Sequence, residues 1–159
     1  MDLPEAWSAA AIAAACEEAR AIGVPMNVAV LDGGANLKAF LRMDGALLGS
    51  VDIALRKAKT AALFGMNSEA VGEFCKPGGT SPGLEDSNGG LTVFAGGIPL
   101  RDGQDRLLGA VGVSGGSVAQ DLQVAEAAAR GAQALQEKLT WSIADAADSA
   151  SPPAQASSS

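Results

Sequence analysis

The sequence contains no histidine and no tyrosine. Without histidine, no imidazole can ligate zinc or haem iron, act as the base of a Ser-His-Asp triad, or activate a cysteine. No phenol is available as an acid or a ligand. The two cysteines, Cys16 and Cys75, are too few for a disulfide framework or a four-cysteine metal site. Aromatic residues make up only 4% of the chain. No stretch approaches the roughly 20 apolar residues that span a bilayer, so no membrane partner is expected. Basic residues are also scarce. Eleven Lys and Arg face 18 Asp and Glu, for a formal charge of -7, and no basic run offsets that balance. Binding to a nucleic-acid backbone is therefore not expected.

What the chain does have is alanine, 33 of its 159 residues. The length suits one domain. Small side chains bury little apolar area each, at about 25 cal/mol per Å². Burial of further surface in a homo-oligomer is the expected remedy. The start of the chain carries no basic segment, and Glu17, Glu18 and Arg20 interrupt the first apolar run. A soluble cytoplasmic protein is expected.

Residues 2–22 read as an alanine-rich helix, with Asp2 and Glu5 at capping-box spacing and Gly23 and Pro25 ending it. Residues 26–31 and 36–43 read as two strands of a hairpin around Asp32-Gly33-Gly34. Ser50 can cap a second helix to about Met66, whose apolar stripe is Ala54, Ala58, Ala61 and Ala62. Ser68 can cap a short helix through Phe74. Thirteen of the 20 glycines then fall between Gly72 and Gly116. Residues 75–90 have no periodicity and read as a long loop, a length usually tied to function or disorder. Three short strands are expected at 91–94, 97–100 and 106–113. Ser117 and Gln120 form a capping box for a last helix to about Leu139. The folded domain is expected over 1–141, with an Ala/Ser/Pro-rich disordered tail over 142–159. The order α-β-β-α-α-β-β-β-α is α+β, an antiparallel sheet flanked by helices.

Three segments carry a family resemblance. They are Ala54-Leu55-Arg56-Lys57-Ala58-Lys59-Thr60-Ala61, Gly96-Gly97-Ile98-Pro99-Leu100, and Gly109-Ala110-Val111-Gly112-Val113-Ser114-Gly115-Gly116 followed by Gln120-Asp121. In this order the chain resembles the GlcG/HbpS-like family, which includes the C-terminal domain of PduO-type proteins, over roughly residues 5–138. The resemblance implies a profilin-like sandwich with a five-stranded antiparallel sheet. It also implies homo-oligomers from dimers to octamers, and haem binding in several members. With no histidine, haem here would be held through Cys75, Met66 or a threonine oxygen, or without a protein ligand.

Several groups are candidate site residues. The backbone N–H groups of Gly115 and Gly116, with Ser117 at the helix start, can form an anion site. Alternatively, these glycines allow close packing. Lys76 can lower the pKa of the Cys75 thiol and make it a nucleophile or an iron ligand. Arg42, Arg56, Lys57 and Lys59, with Glu85 and Asp86, can hold a carboxylate-bearing molecule and supply a base. The same residues also suit a solvated helix face. Asp32 and Asp121 suit a turn and a first helical turn. Two functions remain open. One is a small-ligand-binding protein of the GlcG/HbpS type. The other is a metal-independent lyase or isomerase for a small acidic metabolite, working at a subunit interface through Lys57, Glu85 and Cys75.

Overall fold

The computed structural model describes residues 2–150. Helix α1 (Glu5–Ile22) leads to strands β1 (Asn27–Asp32) and β2 (Leu37–Arg42). Helices α2 (Gly49–Phe64) and α3 (Ser68–Cys75) follow, then a 3-10 turn at Leu84–Asp86. Strands β3 (Gly97–Arg101) and β4 (Leu107–Ser114) lead to helix α4 (Val118–Ser149). The strands form one antiparallel sheet in the order β2-β1-β4-β3.

The alternation of side chains along β1 and β4 builds a core on each face of the sheet. Val28, Val30, Val111 and Val113 join Trp7, Ala11, Ala15, Val124 and Ala128 from α1 and α4. Ala29 and Leu31 pack on Ala54 and Ala58 of α2, and Ala110 on Ala61 and Ala62. The second layer is thin because its residues are small. A Cβ on Gly112 would run into the Ala54 carbonyl oxygen, so α2 lies directly on the β4 backbone.

Among the described residues the sheet has four strands, where five were expected. Residues 91–94 form no strand and pair with none. Their backbone groups are taken elsewhere: Leu91 N–H donates to Glu85 O at 2.8 Å and Thr92 N–H to Thr60 Oγ1 at 3.2 Å. Phe94 O accepts from Ser68 Oγ at 2.7 Å.

Three expected caps are absent. Asp2 pairs with Lys38 at 2.9 Å instead, and α1 starts after Pro4. Helix α2 begins at Gly49, so Ser50 lies inside its first turn. Ser68 stitches α3 to β3, donating to Phe94 O and accepting from Gly97 N–H, while Asn67 occupies the cap position. The Ser117–Gln120 capping box is present. Helix α4 passes the expected end near Leu139 and continues to Ser149, covering the start of the expected tail. Residues 151–159 of that tail lie outside the described residues.

Candidate functional site

The three sequence motifs converge on one buried ion pair. Lys57 lies on α2 and is fully buried. Its Nζ donates to Asp121 Oδ2 at 2.7 Å and to Val113 O at 3.0 Å. It also lies 4.8 Å from the centroid of the Phe94 ring, within cation–π range. The other Asp121 oxygen, Oδ1, accepts from Gly115 N–H at 3.1 Å and Gly116 N–H at 2.9 Å. Burial pushes the Lys57 pKa down, and Asp121 partly opposes that shift. The Gly96-Gly97 pair is needed for this packing. A Cβ on Gly96 would lie 2.8 Å from Lys57 Nζ, and one on Gly97 would meet the Lys57 carbonyl oxygen.

This arrangement changes the reading of four predicted site residues. Lys57 sits where no substrate reaches its amine. Gly115 and Gly116 do form an anion cradle, but its anion is the chain's own Asp121. Ser117 serves the capping box, accepting from Gln120 N–H at 3.2 Å. Sequence reasoning assigned Asp121 only to the helix dipole. A lysine in an otherwise small apolar stripe was the available signal that a buried acid must exist.

The long loop is tied to its own chain. Arg56 donates from Nη1 to Gly89 O at 2.9 Å and pairs through Nε with Asp52 at 2.6 Å. Lys59 donates to Asn88 O. Arg56 and Lys59 therefore brace the loop, while Asp86 is exposed on the 3-10 turn.

Cys75 and Glu85 do come together. They share a cavity of about 540 Å³ with Glu69, Glu73, Val93, Phe94 and Val118. The Cys75 thiol lies 3.6 Å from Gly72 O and 3.8 Å from Val71 O. Desolvation first, then Glu85, raises its pKa. Lys76 does not activate it, because Lys76 is paired with Glu73. Expected as a low-pKa nucleophile, Cys75 is held as a neutral thiol. Glu69 Oε2 and Glu85 Oε2 are buried without a hydrogen-bond partner.

Arg42 is elsewhere. It ends β2 and lines a hollow of about 540 Å³ with Arg20, Val24, Pro25, Leu41, Met43 and Asp44. A second hollow of about 770 Å³ adjoins it, sharing Arg20 and Leu41. Its walls are Ile12, Ala9, Ala13 and Ala39, with Cys16 and Ser8 in the floor and Glu5 and Lys38 at the rim. Together they form a groove between α1 and β2. Ser8 is 2% exposed and its Oγ has no hydrogen-bond partner. Neither Arg20 nor Arg42 has an ion-pair partner among the described residues. Met66, the other expected iron ligand, lies between α2 and α3 and lines neither this groove nor the Cys75 cavity.

The family model for the haem degrading protein HbpS-like group matches residues 1–130. Protein GlcG of Escherichia coli strain K12 is 40% identical over 113 residues, covering 70% of this chain and 81% of GlcG. The crystal structure of a PduOC:haem complex superposes with a TM-score of 0.78 at 32% identity, covering 82% of this chain and 95% of that one. The crystal structure of HbpS gives a TM-score of 0.75 at 31% identity, covering 82% and 89%. With that family model covering residues 1–130 and GlcG 40% identical over 70% of the chain, the chain belongs to the HbpS-like family.

Proposed function

We propose that the protein binds a flat, apolar, carboxylate-bearing small molecule of the haem class in the groove between α1 and β2. The single observation that carries this is the pair of unpaired guanidiniums, Arg20 and Arg42, at one end of an apolar trough. Arginine matches carboxylates in a bidentate geometry. The haem-complexed relative gives the ligand class.

Haem fits the groove at its periphery but not at its iron. Apolar walls suit the macrocycle, and Arg20 and Arg42 would hold the propionates. The donors near it are poor ligands: burial raises the Cys16 pKa and keeps it a neutral thiol, and Met43 Sδ already accepts from Met26 N–H at 3.4 Å. The proposal is therefore a site that holds the ring and its carboxylates without a protein ligand to the metal. The Cys75 cavity fits haem less well, because Glu69, Glu73 and Glu85 would repel propionates.

The enzyme reading, a lyase or isomerase acting on an acidic metabolite, has less support. Its cations are dispersed: Lys57 is buried, Arg56 braces a loop and Arg42 lines another groove. The cavity that keeps Cys75 and Glu85 offers an acidic substrate mainly carboxylates.

Titration with hemin and with metal-free protoporphyrin IX tests the proposal. Comparable affinity for both, and a loss of about tenfold or more in an Arg20→Ala/Arg42→Ala variant that still folds, is expected for two lost charge-assisted contacts. Binding of hemin alone would establish iron ligation and overturn this reading. Binding unchanged in the double variant would place the ligand elsewhere. Turnover of a carboxylate metabolite that is lost in Glu85→Gln would favour the enzyme.

A further inference from the structure

We propose that the last turns of α4 pair antiparallel with the same turns of a second copy of this chain, with Lys138 of each copy opposite Asp145 of the other. The family match ends at residue 130, yet α4 runs on to Ser149. At 1.5 Å per residue, that is about 28 Å of additional helix.

Within the chain, α1 is the antiparallel partner of α4. Gln123 bonds to Glu18 at 2.7 Å, and Gly131 fits against Ala10 and Ala14. In that register α1, which begins at Glu5, ends its cover of α4 close to Leu139. The apolar stripe of α4 does not stop there. Ala132 is buried, Leu135 packs on the core, and Leu139 and Ile143 continue at spacings of four residues. Leu139 is 49% exposed and Ile143 71% exposed. The same kind of residue that packs α4 onto its own chain thus lies uncovered one turn later.

Charge selects the occupant and its direction. With Ser142 at a d-type position and Leu139 and Ala146 at a-type positions, Lys138 and Asp145 are both g-type and flank the stripe on the same side. Neither has an ion-pair partner among the described residues. A parallel copy would place Ile143 beside Lys138. An antiparallel copy brings Asp145 there, and two-fold symmetry makes the contact twice. A surface so short against standard interfaces gives reversible association.

Sedimentation of the full chain over a concentration series at low salt tests this, with circular dichroism confirming the fold of each variant. A reversible, concentration-dependent association step is expected on top of any assembly the domain itself forms, and Leu139→Glu/Ile143→Glu abolishes that step. Lys138→Asp and Asp145→Lys each weaken it by about two- to thirtyfold, the range for two exposed ion pairs. Combining both charge swaps restores it. A mass that does not change with concentration, a concentration-dependent step indifferent to the Leu139/Ile143 variant, or a combined swap that fails to restore that step would each overturn the proposal.

Discussion

Lys57 and Asp121 are 64 positions apart in the chain and 2.7 Å apart in space, both buried. Every polar atom of the pair that bears charge is occupied: the ammonium by a carboxylate, a carbonyl and a ring face, the carboxylate by the ammonium and two backbone N–H groups. Removing one partner strands the other in a low dielectric. Asp121→Asn is expected to cost about 3–5 kcal/mol in urea denaturation, and Lys57→Met a similar amount. The double variant should cost less than the sum of the singles. A sum that is simply additive would mean the pair is not coupled.

The alkaline limb of stability carries the sign of the Lys57 shift. Its pKa in the fold is below the ordinary 10.5, so the unfolded chain binds more protons as pH rises toward that value. This group alone therefore makes wild type gain stability relative to Lys57→Met between the lowered pKa and 10.5. A gap that narrows over that interval would contradict the burial assignment.

Two turn aspartates contribute to the acid limb. Asp32 accepts from Gly34 N–H and Asn36 N–H, both at 2.9 Å, and Asp102 does the same from Gln104 and Arg106. These bonds hold both carboxyls below the ordinary 3.8. Their contribution is present above that value and is lost as pH falls through the lowered pKas. Asp32→Ala and Asp102→Ala should each flatten the loss of stability below about pH 4, read from thermal melts across a pH series.

The Cys75 thiol should react slowly with an alkylating reagent near neutral pH, because its pKa lies above the ordinary 9.0. Glu85→Gln removes one of the causes and should shift the rate-versus-pH curve to lower pH. Cys16, nearly buried, should stay protected until the protein unfolds. A Cys75 that alkylates like a free thiolate at pH 7 would show that Lys76 does activate it.

Close packing gives the last prediction. Gly112→Ala places a methyl against the Ala54 carbonyl and the Ala58 N–H of α2. Helix and strand must part to admit it, at a cost of about 1–3 kcal/mol or more. Gly49→Ala, where a Cβ meets nothing within 4 Å, is the control and should leave the melting temperature nearly unchanged.

Much of the fold was legible because its signals are local. A compact β-prone apolar run marks β1, and the Ser117–Gln120 box marks the start of α4 with both of its hydrogen bonds. The failures are tertiary. Residues 91–94 have strand-like composition, but Thr60, Ser68 and Glu85 occupy their backbone groups. Ser50 and Ser68 have cap chemistry, but α2 begins at Gly49 and α3 at Ser68 itself, so neither serine precedes its helix. The site was harder still. Arg42, Arg56 and Lys57 look like one basic set along the sequence, yet the fold assigns one to a groove, one to a loop and one to the core. Arg20 sits in an alanine helix with no neighbour in sequence that marks a site, and only the groove between α1 and β2 brings it to Arg42.

The distance in sequence between Lys57 and Asp121 has a kinetic consequence. A contact that closes a loop of this size forms only after α2 has docked on β4, since the glycine-lined approach must exist before the charges can leave water. The clasp then belongs to the late part of folding. Weakening it should speed unfolding more than it slows folding, so the pair sets how long the folded chain lasts rather than how fast it is reached.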